Sequence, residues 1–156
     1  MKMNDIYLRL SPIFRRRRIE RFIARFRPTK ETRILDVGGM PQFWIESGIE
    51  SHITMINLYP IEVPDSMKGH CEARIGDGMD MEFADGEFDI VFSNSVIEHL
   101  ATWDNQVRMA REMRRVGKQF YVQTPAREFF FEPHLLTPFV HWLPKALQRR
   151  HYRHAT

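Results

Sequence analysis

Apolar positions along this chain follow two rhythms. Short apolar-rich runs at Arg33 to Val37, His52 to Asn57, Glu72 to Ile75, Phe88 to Ser93 and Gln119 to Gln123 are too brief for helices, and most of them end near glycine or small polar residues, so they are predicted as strands. The segments between several of them repeat at helical spacing. From Ser11 to Phe26 the residues Phe14, Ile19, Phe22, Ile23 and Phe26 fall near one side of a helix, with Arg15, Arg16, Arg17, Arg21 and Arg25 mostly elsewhere. Ser11 followed by Pro12 suits a helix start, and Arg27-Pro28 suits its end. Pro41 to Ser47 is predicted as two turns closed by Gly48. Asp104 to Arg115 is a longer helix with Val107, Ala110 and Met113 on its core face and Gly117 as its stop.

Strands alternating with helices predict an α/β fold with a parallel, doubly wound sheet. Such sheets bind ligands beyond the carboxyl ends of their strands, near the switch in strand order. Asp36, Asn57, Asp77 and Asn94 all stand at or just after predicted strand ends. The chemistry concentrates in two stretches. RILDVGG, Arg33 to Gly39, ends a strand in a carboxylate and a glycine pair, where a backbone turns sharply beside a polar ligand. GDGMDMEFADGEFDIVFSNSVIEHL, Gly76 to Leu100, sets Asp77 and Gly78 ahead of a buried strand that ends in small polar residues. Either stretch alone is an ordinary turn signal.

Their order, spacing and flanking text are more specific. From Thr32 to Leu143 the chain resembles the type 11 class I methyltransferases, whose segments read like ILDVGCGxG and then GDxxxLPFxDxSFDxVxSxxVLEHL. The stretch RVGKQFYVQTPAREFFFEPHLLTPFVHWLP, Arg115 to Pro144, is similar to that family's fifth strand and the aromatic segment after it. The resemblance implies a Rossmann-like sheet of about five strands in the order 3-2-1-4-5, with S-adenosylmethionine as cofactor and a small, apolar or aromatic methyl acceptor. It implies that Gly38 and Gly39 let the first loop approach the ligand, and that Asp36 holds that loop or the ligand's ammonium group. Asn57 and Leu58 would flank the ribose, and Asp77 would accept from the adenine amino group beside Gly78 and Met79. Ser93, Asn94 and Ser95 would line the rim near the reacting centre. His99 and His134 are the candidate bases, with Glu98 either sharing that role or anchoring its loop.

Three departures from the family pattern matter. Met40, Pro41, Gln42, Phe43 and Trp44 replace a third glycine and small residues, and proline removes one amide donor. Asn57 stands where the family places a carboxylate on the ribose diol. An amide offers one acceptor oxygen and no charge, which predicts an affinity lower by about tenfold. The family's final hairpin after the fifth strand has no counterpart before the sequence ends, so Phe120 and Val122 are expected at an exposed sheet edge. The aromatic tract, a second copy of the chain or further residues could cover that edge.

Composition adds limits. A chain of 156 residues with 43% hydrophobic content fits one domain. It is read as a basic helix over 1–30, a core over 31–125, and an aromatic cover with a basic tail over 126–156. No apolar run approaches a membrane span. The single cysteine, Cys71, and the absence of an apolar signal core make a cytoplasmic setting the expectation. The net charge of +3 conceals an acidic body between two basic ends. Arg15 to Arg18 therefore keep nucleic acid or an anionic membrane surface open as a different class of partner, distinguishable by salt-sensitive binding. A catalytically impaired cofactor-binding relative is the other alternative. No zinc, P-loop or serine-hydrolase motif is present, and no metal is expected.

Overall fold

The computed structural model describes residues 3–124, 131–132 and 137–138, with side chains from Arg15 to Thr124. In chain order the elements are α1 (Met3–Phe26), β1 (Arg33–Val37), α2 (Pro41–Ser47), β2 (His52–Asn57), a 3-10 turn (Asp65–Met67), β3 (Cys71–Ile75), β4 (Phe88–Asn94), a second 3-10 turn (Ile97–His99), α3 (Trp103–Val116) and β5 (Gly117–Gln123). Residues 16–124 form one compact unit, and residues 1–15 with 125–156 form another. In the second unit β6 (Phe131–Glu132) pairs antiparallel with β7 (Thr137–Pro138). The rest of the predicted aromatic cover and tail lies outside the described residues, as do the side chain of Phe14 and all of His134.

The five long strands run in the order β3-β2-β1-β4-β5, and every pairing is parallel. Strand alternation sorts their side chains onto two faces. One carries Ile34, Ile53, Met55, Ile90 and Phe92, packed by Phe22 of α1 and Trp44 of α2. The other carries Leu35, Val37, Ile56 and Val91, packed by Met109, Met113 and Val116 of α3. Helices on both faces make the sheet doubly wound, as the sequence pattern predicts.

Several boundaries and faces differ from the sequence-based expectation. Helix α1 does not begin at Ser11-Pro12 but runs through it from Met3. Proline there forfeits one backbone hydrogen bond without stopping the helix. Ile19 and Phe22 are buried as expected, whereas Ile23 is exposed, because the stripe facing the sheet is narrower than the apolar set. Left-handed Arg27 (φ 47°) ends the helix. On α3 the phase is shifted. Met109, Met113 and Val116 face the core, leaving Val107 half-buried and Ala110 exposed. Thr102 accepts a hydrogen bond from the Asn105 amide and fixes the helix start. Gly117 continues in extended conformation directly into β5.

Strand β5 pairs only with β4 among the described strands, and Phe120 and Val122 are exposed. Among the described residues no helix is long and apolar enough to cross a membrane, and no group of three or more His, Cys, Asp or Glu could hold a metal ion.

Candidate functional site

Parallel pairing carries hydrogen bonding one residue past the strand ends. The Gly38 amide donates to the Ile56 carbonyl at 2.8 Å, the Gly76 amide to Asn57 at 2.9 Å, and the Ser95 amide to Gln123 at 2.8 Å. The loops after β1, β3 and β4 are thereby held at the same end of the sheet. Gly38 turns with φ 75°, and a Cβ there would lie 2.5 Å from Val96 Cγ2, so the first loop runs directly against the loop after β4. A Cβ on Gly78 would lie 2.8 Å from Val37 Cγ1, which brings the β3 loop equally close to β1. Ser95 adopts φ 60°, a left-handed conformation uncommon outside glycine and of a kind that clusters at functional sites.

These loops enclose a cleft of about 470 Å³. Its floor is apolar, made by Val37, Ile56 and Met109. Around it stand Gly38, then Asn57, Leu58 and Tyr59, then Gly76, Asp77, Gly78 and Met79, and finally Ser95, Val96, His99 and Leu100. Gly38 and Asp77 thus border one hollow. The structure brings most of the sequence-predicted site residues together: Gly38, Asn57, Leu58, Asp77, Gly78, Met79, Ser95 and His99.

Asp36, Gly39, Ser93 and Asn94 do not line this cleft. Alternation turns Asp36 and Asn94 to the α1/α2 face with Ile34 and Phe92, away from the cleft floor. Asp36 is 1% exposed and accepts from Trp44 Nε1 at 2.7 Å. Its role in the structure is to hold α2 against β1 beneath the glycine turn. Burial raises its pKa from 3.8 to about 7, against the opposing effect of the indole hydrogen bond, and its Oδ1 is buried with no hydrogen-bond partner. Ser93 is buried and donates to the Val37 carbonyl at 3.1 Å. The Gly39 carbonyl accepts from Asn57 Nδ2 at 3.0 Å. Asn57 therefore ties the glycine turn to β2, a bond that the carboxylate usual in the family pattern could not donate.

At the opposite wall, Asp77 Oδ1 accepts from the Met79 amide at 2.8 Å, and the Asp80 amide donates to the Asp77 carbonyl at 3.1 Å. This closes a tight turn at the cleft wall, with one carboxylate oxygen of Asp77 holding the Met79 amide. Glu98 makes no anchoring hydrogen bond, and both its carboxylate oxygens are buried without one. The sequence reading missed Val37, Ile56, Tyr59, Gly76, Val96, Leu100 and Met109 as lining residues. Only the apolar periodicity of α3 could have pointed to Met109.

A cleft of this size is within the range that holds a small molecule or cofactor. Its chemistry suits a ligand with an adenine ring and a ribose: an acceptor carboxylate, an acceptor amide oxygen and apolar side chains stand around one hollow, with a glycine turn at one side. Comparisons with known proteins establish the family and the fold. Residues 37–119, more than half of the chain, match the family model of the type 11 methyltransferase domain. The chain belongs to that family. Among solved structures it is similar to the [4+2]-cyclase SpnF (21% identity, TM-score 0.57, 68% of this chain and 43% of that one). It is also similar to a SAM-dependent methyltransferase from Methanosarcina mazei (17%, 0.52, 65% and 55%) and to the YcgJ protein of Bacillus subtilis (20%, 0.51, 67% and 48%). The chain spans about half the length of these proteins, and at such identities the likeness establishes the fold.

Proposed function

We propose that the cleft binds S-adenosylmethionine across the tips of β1, β2 and β3 and that the chain directs its methyl group to a small, apolar or aromatic acceptor. The observation that carries this reading is the single hollow shared by the Gly38 turn and the Asp77–Met79 turn. Asp77 accepts from the adenine amino group, with Met79 and Leu58 against the ring. The acceptor oxygen of Asn57 takes a ribose hydroxyl while its amide holds Gly39. Backbone at Gly38 lies close to the amino-acid portion.

When bound, the cofactor supplies an electrophilic methyl on a sulfonium. The chain's contribution is alignment and exclusion of water. Val96 and Leu100 give the wall near Ser95 an apolar surface, which favours a greasy acceptor. His99, on the same wall, takes the proton from an oxygen or nitrogen nucleophile. His134 is the second candidate base, and it lies outside the described residues. A second reading, cofactor binding without transfer, is favoured by Asn57, whose amide is committed to the glycine turn.

Thermal-melting titrations with S-adenosylmethionine and S-adenosylhomocysteine, followed by transfer assays on aromatic and aliphatic alcohols, acids and amines, test these readings. Both ligands are expected to raise the melting temperature, and His99→Ala to lower transfer about 10²–10⁴-fold with little change in binding. No shift with either ligand overturns the cofactor reading. Binding with no transfer to any acceptor supports the second one.

A further inference from the structure

The turn that presents Asp77 and Met79 to the cleft has no side-chain bond to the sheet. The backbone bond from Gly76 to Asn57 holds its start, and its far end is gripped one residue beyond, at Met81, by side chains of α3. The Met81 amide donates to Glu112 Oε2 at 2.8 Å, and the Met81 carbonyl accepts from Arg115 Nη2, also at 2.8 Å. Both backbone polar groups of one residue are therefore met by one pair of side chains, and the carbonyl also accepts from the Phe83 amide at 2.9 Å. Arg115 in turn donates to both carboxylate oxygens of Glu112, Nε to Oε1 at 2.8 Å and Nη2 to Oε2 at 2.7 Å. Its Nη1 reaches the Phe83 carbonyl at 2.6 Å and Asp85 Oδ1 at 3.0 Å, and its own carbonyl accepts from the Gly86 amide at 2.7 Å.

Glu112 is 19% exposed and Arg115 31% exposed at the side chain, so solvent screens this fork less than an open surface pair. The held residue, Met81, is 5% exposed and belongs to the same cluster as Met109, the cleft floor. Only the Asp80-to-Met81 step separates this clamp from the Asp77 turn. Releasing Met81 would therefore free the far end of the turn that carries Asp77 and Met79.

We propose that Glu112 and Arg115 are positioning residues for the cleft: by gripping the backbone of Met81 they fix the turn that offers Asp77 and Met79 to the adenine end of a bound nucleoside. This rests on the cofactor reading above. An ordinary structural ion pair would contribute to stability alone. A positioning pair also sets how well the cleft discriminates at the group Asp77 touches.

Arg115→Lys keeps the charge and loses the fork, so it separates the two roles. Calorimetric binding is compared for S-adenosylhomocysteine and its inosine counterpart, in which a carbonyl replaces the adenine amino group. In the folded variant, affinity for S-adenosylhomocysteine is expected to fall about tenfold, and the preference over the inosine counterpart to shrink by a similar factor. Hydrogen exchange at the Met79, Asp80 and Met81 amides is expected to accelerate while that of β1 and β4 does not.

Arg33→Lys, which alters an ion pair with Glu87 at the amino end of β1, serves as the control and is expected to leave both readouts unchanged. If Arg115→Lys fails to fold, Glu112→Gln, which retains the arginine bonds to the Met81 and Phe83 carbonyls, carries the same measurement. A folded variant with wild-type discrimination and a protected 79–81 segment overturns the clamp alone. A wild-type protein that binds neither nucleoside overturns the cofactor reading and the clamp with it.

Discussion

Asp36 shows how far a residue's place in a motif can differ from its work. Its position at the carboxyl end of β1 was legible, as was the glycine turn that follows it. Its partner was not, because the Trp44 indole reaches it only through the phase of the short helix α2, which a sequence pattern does not specify. The consequence is a testable pH dependence. Burial raises the Asp36 pKa to about 7 in the folded state, above its ordinary 3.8. The native form thus holds a proton that the unfolded chain releases, and stability falls as pH rises from about 4 to about 7, then levels. Urea denaturation of wild type and Asp36→Asn at a series of pH values is the measurement. The variant is expected to lose that decline, and an unchanged slope would assign it to other groups. Asn57 has the same lesson in reverse: its departure from the family carboxylate was visible, but its bond to Gly39 depends on how close two loop backbones come.

At the scale of elements, the strands and α2 could be read almost to the residue because each is a short apolar-rich run bounded by turn chemistry. The start of α1 and the phase of α3 could not. Pro12 was read as a start where the helix tolerates it, and the apolar residues of α3 admit two phases that only the sheet chooses between. The helix α1 matters to the sheet through Phe22, fully buried and in contact with Trp44 of α2, Phe92 of β4 and Tyr121 of β5 at ring separations of 5.8, 5.3 and 5.7 Å. Phe22→Ala removes the ring that joins three elements on one face. It is expected to cost about 3–5 kcal/mol of unfolding free energy, measured by chemical denaturation. A loss below about 1 kcal/mol would mean that residues 16–26 are not part of the cooperative unit. The clamp of Glu112 and Arg115 belongs to this scale too. In the sequence it is only an i,i+3 charge pair on a polar helix face, and its grip on Met81 emerges from the tertiary fold.

For the whole molecule, the order β3-β2-β1-β4-β5 places the strand tips of Gly38, Asn57 and Asp77 on neighbouring strands and so creates the cleft. Sequence spacing implied this arrangement through family resemblance, and the parallel register realises it. The exposed edge of β5 was expected for the same reason, since no strand in the described residues follows it in the sheet. The account's central claim is that a sulfonium nucleoside lies across those tips. Crystals grown with S-adenosylhomocysteine test it most directly. Ligand density is expected along the 470 Å³ cleft, with the adenine beside Asp77 and Met79 and the amino-acid end beside Gly38. Density elsewhere on the molecule, or an empty cleft at saturating ligand, would contradict it.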